Sequence, residues 1–418
     1  MKLQVKPSEI NGTMTAPPSK SCTHRAIVLA SLAKGTSKIE KALRSRDTLA
    51  TMHAMEAFGA SIKEDGETLI IRGGRLKSPI NPIDCQNSGT TLRLCCGIAS
   101  LLDNNITFTG DDSLKGRPMK PLLNAFTEMG VYCTSTSQGI IIRGPNNGRW
   151  THIRGDVSSQ FISSLLISSA LKPRDTDVVI TSPLVSKPYV NITVNMMSQF
   201  GVKCAETKDG YRIMGGQSYR SRDYTVPGDY SSAAFALVAG AISGKVTVTG
   251  LNPNDVQGDK AIIDFLREFG ADIDVCGDAV TIKKSELKGI TADVGGCPDL
   301  FPILAVLGTQ AEGETVLYNA AHLKHKESDR IASVVAFLKN MGANIEERDD
   351  GCIIKGKNSL TGCVVNPNGD HRILMAAVVA ATVASGKTII TDGGCYDVSY
   401  PAFIRDFKSL GVDVEEVE

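Results

Sequence analysis

Residues 48–73, TLATMHAMEAFGASIKEDGETLIIRG, decide the fold of this chain because similar text occurs six times. The stretch predicts a helix that ends at Gly59, followed by two short strands joined by a turn at Asp65-Gly66. The last copy is clipped after one strand. The six helix-ending glycines lie 69 to 72 residues apart and are Gly59, Gly130, Gly201, Gly270, Gly342 and Gly411. A period this regular predicts a repeat architecture with one helix–hairpin unit per copy.

A second helix, apolar almost all round, precedes each helix–hairpin unit. Such a helix is typical of one that is buried on every side. Its six copies begin near Lys20, Ser88, Ser159, Ser231, Asp299 and His371. Each repeat therefore contains a buried helix, a strand, an amphipathic helix and a hairpin, which is too little to close a core alone. Three repeats sharing one core predict two similar α/β domains.

Proline and glycine mark the expected domain boundaries. The segment YTVPGDY, residues 224–230, precedes the fourth buried helix, and Ala16-Pro17-Pro18 precedes the first. If the chain crosses between the two domains twice, residues 1–15 can pair with the second domain. We therefore expect hinges near 16–20 and 224–230, a first domain of residues 18–228, and a second domain of residues 1–17 plus 229–418.

Composition excludes several classes of function. The 418 residues carry 45 basic and 45 acidic side chains, so a basic nucleic-acid footprint is not supported. Eleven cysteines are scattered without CxxC pairs or Cys/His metal spacing, which indicates reduced thiols and no metal site. The N-terminus has no apolar signal core, and the longest apolar run, near 373–384, is too short to span a bilayer. We expect a soluble, cytoplasmic protein with no membrane partner.

Several buried helices begin with cations as well as with capping residues. Lys20 and Arg25 follow the first start, Arg93 follows the second, and His371 and Arg372 open the sixth. Ordinary capping explains the hydroxyl groups, but cations at a helix N-terminus oppose the macrodipole. Their presence makes sense if an anion binds there, because the helix start also offers N–H groups. By symmetry, we expect all six starts to face one cleft between the domains.

The densest charge cluster is HKESDR, residues 325–330, which is predicted to open an amphipathic helix. On that helix Lys326 and Arg330 would share a face, with Glu327 beside them. The alternative is a solvated, salt-bridged helix start. Asp299 enters an apolar helix and is either a favourable helix-start charge or, in a partly buried cleft, a base with a tunable pKa.

Three further polar stretches are candidates for anion binding. Arg117, in the loop GDDSLKGRPMKP, could grip a carboxylate or phosphate, although a surface loop is an equal alternative. Gly89, in NSGT, would let the backbone approach a ligand closely, but such text also occurs in ordinary loops. The start of the third buried helix, Ser158-Ser159-Gln160, suits a hydrogen-bonded phosphate, and the turn at Ser186 is polar.

Taken together, these motifs resemble the EPSP synthase (3-phosphoshikimate 1-carboxyvinyltransferase) family over nearly the whole chain. The motifs occur in family order and are PPSKSCTHRA, NSGTTLR, GDDSLKGRPM, SSQF, SKPY, PGDYSSAA, KESDRIA and GDHRILMA. The resemblance implies an inside-out α/β barrel: two domains, each with three βαβαββ-type repeats around a pseudo-threefold axis, and a cleft that closes on substrates.

The resemblance also implies a reaction. The family transfers the enolpyruvyl group of phosphoenolpyruvate to the 5-hydroxyl of shikimate 3-phosphate, in the shikimate pathway that leads to chorismate and the aromatic amino acids. It needs no metal or cofactor, and we expect a monomer. Glyphosate, which this family binds at the phosphoenolpyruvate site, is expected to compete with phosphoenolpyruvate.

The resemblance also implies which residues form the site, motif by motif. The residues implied at shikimate 3-phosphate are Lys20, Ser21, Arg25, Ser158, Ser159, Gln160, Ser186, Asp299, His322 and Lys326. Those implied at phosphoenolpyruvate are Lys20, Gly89, Arg117, Gln160, Arg330 and Arg372. The implied catalytic residues are Asp299 as the base for the 5-hydroxyl, Glu327 as the acid that protonates the methylene carbon, and Lys20.

The chain departs from the family pattern at three positions. Val398 stands where a lysine is usual, His322 where asparagine is frequent, and Leu94 where proline is common. Lys408 could replace the missing lysine. Two other functions are therefore considered: a UDP-N-acetylglucosamine enolpyruvyl transferase, and a non-catalytic anion-binding protein. The first has Lys-Asn at Lys20-Ser21 and usually a cysteine in the Arg117 loop, and this chain has neither.

Overall fold

The structure is a computed structural model of the chain and describes residues 1–417. The chain divides into two compact units, which are called the first unit (Pro18–Val226) and the second unit (Met1–Pro17 and Pro227–Glu418). Each unit has a hydrophobic core of its own. Among the described residues, no helix is both long enough and apolar enough to cross a membrane.

The strands are short, as expected for a chain whose apolar runs alternate with glycine-rich turns. In chain order they are β1 (Lys2–Val5), β2 (Ile10–Thr15), β3 (Gly35–Glu40), β4 (Ser61–Asp65), β5 (Thr68–Gly73), β6 (Ile83–Asp84), β7 (Ile106–Thr109), β8 (Tyr132–Thr136), β9 (Gly139–Arg143), β10 (Trp150–Ile153), β11 (Thr176–Ile180), β12 (Cys204–Thr207), β13 (Gly210–Ile213), β14 (Tyr224–Thr225), β15 (Gly244–Thr249), β16 (Asp272–Cys276), β17 (Ala279–Lys283), β18 (Leu287–Lys288), β19 (Thr291–Asp293), β20 (Ala311–Glu312), β21 (Glu314–Tyr318), β22 (Ile345–Arg348), β23 (Gly351–Lys355), β24 (Val364–Val365), β25 (Thr388–Ile390) and β26 (Val414–Val417).

The helices alternate between buried and amphipathic ones. They are α1 (Lys20–Leu32), α2 (Arg46–Ala57), α3 (Gly89–Ala99), α4 (Asp112–Gly116), α5 (Lys120–Glu128), α6 (Ser159–Ser169), α7 (Lys187–Gln199), α8 (Tyr230–Ser243), α9 (Ile262–Glu268), α10 (Phe301–Thr309), α11 (Arg330–Asn340), α12 (His371–Ala381) and α13 (Phe403–Ser409). Short 3-10 turns cover Gly258–Ala261, Pro298–Leu300, Ala321–His325 and Cys395–Val398.

Each repeat forms one four-stranded sheet with the same strand order. An outer strand pairs in parallel with a central strand, which pairs antiparallel with the second strand of the hairpin. The first unit has β14-β3-β5-β4, β6-β7-β9-β8 and β10-β11-β13-β12; the second has β2-β15-β17-β16, β19-β21-β23-β22 and β24-β25-β1-β26. Three βαβαββ repeats surround a pseudo-threefold axis in each unit, and in the second unit the buried helices α8, α10 and α12 contact one another.

The N-terminal residues complete two sheets of the second unit. Strand β2 runs parallel to β15 in register from Ile10 opposite Gly244 to Thr15 opposite Thr249. Strand β1 lies antiparallel between β25 and β26. It occupies the place of the second hairpin strand, which the clipped sixth copy lacks. Thus each of the six repeats has a four-stranded sheet, and β18 and β20 form a further, two-stranded parallel sheet.

The helix-ending glycines adopt the left-handed conformation that the repeat predicts. Their φ angles are 102° at Gly59, 85° at Gly130 and Gly201, and between 82° and 100° at Gly270, Gly342 and Gly411. A side chain in this region is strained, so glycine is favoured at each position. The hairpin turn of the first copy, however, is Gly66-Glu67 rather than Asp65-Gly66, because Asp65 still pairs with Thr68.

Polar helix starts are the feature of the fold that positions the candidate site. Five buried helices begin behind a side chain that accepts a backbone N–H of its own helix: Ser19, Ser88, Ser158, Asp229 and Asp370. The helix of the fifth repeat is preceded instead by the 3-10 turn Pro298–Leu300. Helix starts present N–H groups and the positive end of the helix dipole, so they are suited to anions.

Candidate functional site

A single guanidinium group joins three carboxylates in the second unit. Arg330, at the start of α11, is 1% exposed. Its Nη1 donates to Asp299 Oδ1 at 2.8 Å, its Nη2 to Glu327 Oε2 at 2.6 Å, and its Nε to Asp370 Oδ2 at 2.8 Å. The structure therefore brings the two predicted catalytic carboxylates, Asp299 and Glu327, to one predicted phosphoenolpyruvate ligand.

Asp370 fixes this guanidinium and was not among the predicted site residues. It is fully buried, and it accepts hydrogen bonds from Ser328 Oγ at 3.2 Å and from the backbone N–H of Arg372 at 2.9 Å. As the capping residue of α12, it was visible in the motif GDHR. Its bond to Arg330 was not visible, because the two residues come from different repeats.

Asp299 is surrounded by positive charge. Its Oδ2 lies 2.8 Å from Arg372 Nη2, and its Oδ1 lies 3.6 Å from Lys326 Nζ as well as 2.8 Å from Arg330 Nη1. The cluster as a whole is balanced, with three cations and three carboxylates: Lys326, Arg330, Arg372, Asp299, Glu327 and Asp370. Any anion that binds here must therefore compete with the protein's own carboxylates.

Burial and charge set the protonation of this cluster. Burial alone raises the pKa of Asp299, but the neighbouring cations, Arg372 foremost, outweigh burial and hold this pKa well below the usual range. Burial lowers the pKa of Lys326. Burial and the charge of Lys326 lower the pKa of His322 to about 4, so the His322 imidazole is neutral at neutral pH. The cluster thus holds an ionised base beside a neutral histidine.

The predicted helical arrangement of the HKESDR segment is wrong. Helix α11 begins only at Arg330, behind the capping residue Asp329, whose Oδ1 accepts the backbone N–H of Ala332 at 3.1 Å. Lys326 has an extended backbone, and Glu327 lies in the turn that follows the 3-10 segment Ala321–His325. The charged side chains therefore meet because this turn folds back on the helix start, and not because they share a helical face.

In the first unit, Lys20 pairs with a buried aspartate. Lys20 Nζ, at the start of α1, lies 3.0 Å from Oδ2 of Asp47, in the first turn of α2. The side chain of Lys20 is 15% exposed and that of Asp47 is 7% exposed. Asp47 was not among the predicted site residues. Asp47 thus holds Lys20, a predicted ligand of both substrates, at the helix start.

Two guanidinium groups lie against Gly89, the first residue of α3. A Cβ added at Gly89 would be 3.2 Å from Arg117 Nη1 and 3.3 Å from Arg93 Nη1. Arg117 Nη2 donates to Asn87 Oδ1 and, at 3.4 Å, to Ser113 Oγ. The expected loop before Arg117 contains the short helix α4. The absence of a side chain at Gly89 therefore makes room for both arginines.

Gln160 connects the second and third buried helices of the first unit. Its Oε1 accepts a hydrogen bond from Arg93 Nη1 at 2.7 Å, and its Nε2 donates to Thr90 Oγ1 at 2.8 Å. Ser158 caps α6 and lies 3.5 Å from Arg93 Nη1. The structure thus brings Gln160 to the Gly89 helix start through Arg93, a cation that we had noted at this helix but had not placed in the site.

Arg25 lies deeper than a surface phosphate ligand would. It is 2% exposed, and burial lowers its pKa. Its guanidinium donates to Thr193 Oγ1 at 2.7 Å, to the Ser21 carbonyl at 2.9 Å and to the Tyr189 carbonyl at 3.1 Å. These bonds connect α1 with α7, whose capping residue Ser186 has a φ of 54°. Arg25 therefore links α1 to α7.

The lysine expected in the last repeat is replaced by a buried apolar side chain. Val398 ends the 3-10 turn Cys395–Val398 and is 6% exposed. Lys408, suggested as a substitute, is an exposed residue of α13. Its role stays a prediction.

The structure defines a protein of six βαβαββ repeats in two units, with charged side chains at the starts of its buried helices, and solved proteins share this fold. The solved structure of the enolpyruvyl transferase NikO from Streptomyces tendae has the same fold, with a TM-score of 0.81, 18% identity, and coverage of 100% of this chain and 98% of that one.

Among proteins of this fold, the chain belongs to the EPSP synthase family. The sequence model of EPSP synthase (3-phosphoshikimate 1-carboxyvinyltransferase) matches residues 5–407. The 3-phosphoshikimate 1-carboxyvinyltransferase of Methanocorpusculum labreanum is 51% identical over 421 residues, and the match covers 100% of both chains. That of Methanocaldococcus jannaschii is 44% identical, with 98% of both covered. An EPSP synthase structure from Acinetobacter baumannii has a TM-score of 0.83 and 30% identity, and covers 99% of this chain and 100% of that one.

Proposed function

We propose that this chain transfers the enolpyruvyl group of phosphoenolpyruvate to the 5-hydroxyl of shikimate 3-phosphate and releases phosphate. The product is 5-enolpyruvylshikimate 3-phosphate. Relatives that match over their full length carry the name of this activity. The observation that carries the proposal is the position of Asp299 and Glu327 on one buried guanidinium, since the reaction needs one group to take a proton and one to give it.

The charges of the substrates suit both sets of residues. Phosphoenolpyruvate and shikimate 3-phosphate bring two carboxylates and two phosphoryl groups, each phosphoryl about −1.5 to −2 near neutral pH. Arginine binds such groups in bidentate fashion. In the first unit, we assign phosphoenolpyruvate to Lys20, Gly89, Arg117 and Gln160. In the second unit, we assign it to Arg330 and Arg372.

Shikimate 3-phosphate takes the other polar groups and shares Lys20 and Gln160 with phosphoenolpyruvate. The hydroxyl-bearing helix starts of the first unit supply neutral hydrogen bonds to its phosphate and ring. The residues assigned to it are Lys20, Ser21, Arg25, Ser158, Ser159, Gln160, Ser186, Asp299, His322 and Lys326. Arg25 already donates hydrogen bonds to protein groups. It can therefore contact the ligand only through an N–H group that these bonds do not use.

Ligand binding prepares the base. In the ligand-free cluster, Arg372 and Arg330 hold the pKa of Asp299 low, which makes Asp299 a weak base. An anionic ligand that binds these arginines draws their charge away from the carboxylates. The pKa of Asp299 then rises towards the range in which it accepts a proton readily. The base therefore gains strength when phosphoenolpyruvate is present.

The chemistry balances in two steps. In the first, the 5-hydroxyl oxygen bonds to C2 of phosphoenolpyruvate while Asp299 takes the hydroxyl proton and Glu327 gives a proton to C3. In the second, the C2–O bond to phosphate breaks and Glu327 takes back a proton from C3, which restores the double bond and the protonated Glu327 that the first step requires. The proton held by Asp299 passes to the departing phosphate. Lys20 and Lys326 stabilise the negative charge of the departing phosphate. No electrons are exchanged with a third reactant.

The proposal also covers the oligomeric state and the cellular location of the protein. We propose a monomer that acts in the cytoplasm on these two small molecules. The hinges expected near 16–20 and 224–230, and the domain boundaries based on them, stay predictions.

Phosphate release with alternative acceptors tests the proposal. Purified protein is given phosphoenolpyruvate with either shikimate 3-phosphate or UDP-N-acetylglucosamine, and binding of each acceptor is followed by calorimetry. We expect phosphate only with shikimate 3-phosphate. Release only with the nucleotide sugar would identify the alternative transferase. Binding of shikimate 3-phosphate without any release would identify a non-catalytic anion-binding protein.

A further inference from the structure

A cavity of about 530 Å³, open to solvent on one side, lies in the first unit between α5 and the sheet of the second repeat. Its volume is within the range of small-molecule pockets, roughly 300–1,000 Å³. Much of its wall is apolar and comes from Leu92, Phe108, Leu114, Met119, Leu123 and Ile140. These side chains can accommodate an apolar body about the size of an aromatic ring with a short chain.

The cavity is separate from the proposed substrate residues except at one side chain. Among the described residues that line it, Lys20, Gly89 and Gln160 do not occur, but Arg117 does. The same guanidinium has its Nη1 3.2 Å from the Cβ position of Gly89. Arg117 therefore borders both the cavity and the helix start assigned to phosphoenolpyruvate.

The segment that carries Arg117 has few buried side chains, although Asp111 and Arg117 hydrogen-bond to Asn87. Within residues 111–116, only Leu114 is buried, and it forms part of the cavity wall. Segments with few buried contacts move at low cost in free energy. A molecule that fills the cavity presses on Leu114 and Arg117, the two buried side chains of residues 111–117. An occupant of the cavity would therefore contact the side chain whose guanidinium lies against Gly89.

Cations at the rim determine the chemistry of the occupant. Lys115, Lys120 and Arg117 line the same cavity as the apolar wall. Lys115 pairs with Asp112 at 3.3 Å, but both side chains are exposed, so this pair is weak and a ligand can replace it. An apolar wall with a cationic rim favours a molecule that has an apolar body and one carboxylate.

We propose that this cavity is a second, regulatory site for a small arylalkyl carboxylate, and that its occupant weakens phosphoenolpyruvate binding by drawing Arg117 away from Gly89. The effect on phosphoenolpyruvate rests on the proposed function, but binding in the cavity does not. Phenylacetate is the probe, and phenylacetamide is the matched neutral control.

The first test measures binding without any need for catalysis. Cys133 lines the cavity, and burial raises the pKa of its thiol to about 11; Cys276, in the second unit, is exposed. Alkylation of both is followed by mass spectrometry. We expect phenylacetate to slow the modification of Cys133 several-fold, phenylacetamide to have a smaller effect, and Cys276 to be unaffected. An unchanged rate at Cys133, together with no heat of binding in calorimetry, overturns the proposal.

The second test measures the coupling. We expect phenylacetate to raise the KM for phosphoenolpyruvate several-fold and to leave the KM for shikimate 3-phosphate and kcat unchanged. Cys133→Phe fills the cavity from β8, and Leu123→Trp fills it from α5, so either folded variant should abolish the effect with basal kinetics intact. Inhibition that survives in the filled variants shows that phenylacetate acts at the phosphoenolpyruvate site, and the proposal is wrong. An inactive protein in which Cys133 is still protected refutes the proposed function and leaves the cavity site standing.

Discussion

Arg330 donates through both Nε and Nη2 to the two carboxylate oxygens of Asp370, at 2.8 and 3.4 Å, and both residues are buried. Asp370 also caps α12, which carries Arg372 in its first turn. One side chain thus fixes two of the arginines assigned to phosphoenolpyruvate. The positions of both arginines therefore depend on the start of the buried helix α12.

Asp370→Asn should weaken both stability and phosphoenolpyruvate binding. Removing one partner of a buried ion pair costs about 3–5 kcal/mol. We expect a value near the lower end, because asparagine can still cap α12 and Arg330 keeps Asp299 and Glu327. A charged hydrogen bond contributes about 1.5–3 kcal/mol, so the KM for phosphoenolpyruvate should rise about 10- to 100-fold. Chemical denaturation and steady-state kinetics measure the two effects.

The matched control for this change is Asp413→Asn, because Asp413 pairs with Lys6 on the surface of the same unit with both side chains about half exposed. Exposed pairs contribute little to stability, so Asp413→Asn should have almost no effect. Equal effects of the two substitutions would contradict a special role of Asp370.

Asp299→Asn and Glu327→Gln should remove turnover without removing binding. Loss of a general acid or base costs roughly 10²- to 10⁴-fold in kcat. Asp299→Asn also removes a carboxylate that competes for Arg372, so phosphoenolpyruvate should bind as tightly as before or more tightly. Kd values for phosphoenolpyruvate from calorimetry, compared with kcat for the same variants, test this prediction. If both variants lose affinity and keep kcat, the acid and base assignments are wrong.

The pH profile should depend on Lys326. Asp299 must be ionised to act as a base, so activity falls as the pH drops through its pKa. Lys326 helps to hold this pKa low and extends activity to lower pH. Lys326→Gln should therefore shift the acid limb of the kcat/KM profile to higher pH. It should also lower the maximum value of kcat/KM. Lys324→Gln, at an exposed neighbour, is the control and should leave the limb in place. An unmoved limb in Lys326→Gln would count against Asp299 as the base.

Gly89→Ala should disturb the two arginines beside it. The added Cβ would lie 3.2–3.3 Å from the Nη1 atoms of Arg117 and Arg93, so both must move by a few tenths of an ångström. Since a misplacement of about 1 Å can cost 10²-fold in rate, we expect a rise of roughly tenfold or less in the KM for phosphoenolpyruvate. Gly116→Ala, in the same region, meets nothing within 4 Å and should have no effect. An unchanged KM in Gly89→Ala would show that the arginines do not bind this substrate.

The features that sequence could predict are local. The positive φ of Gly59 and its five counterparts follows from the needs of a helix end, and the buried helices follow from their apolar faces. The missing strand of the sixth repeat could be noticed in the sequence. Its replacement by β1, with Leu3 opposite Ile390, depends on contacts between the two ends of the chain.

The sequence could predict individual residues of the site, but it could not predict which of them form pairs. Motifs pointed to Asp299, Glu327 and Arg330, whereas the pairing of Lys20 with Asp47 joins two helices that no local pattern connects. The start of α11 was placed too early, because the charge run was treated as its first turn. Asp329 is a good capping residue, and the cap decides the start.

Transfer in deuterium oxide tests the central claim most directly. The protein is supplied with phosphoenolpyruvate and shikimate 3-phosphate in D₂O, and the product is analysed by mass spectrometry and proton NMR. If C3 gains a proton from an exchanged acid and then loses one, the product should carry deuterium on its methylene group, and Glu327→Gln should slow its appearance. Absence of the product, or a product whose methylene group carries no deuterium, would contradict the account.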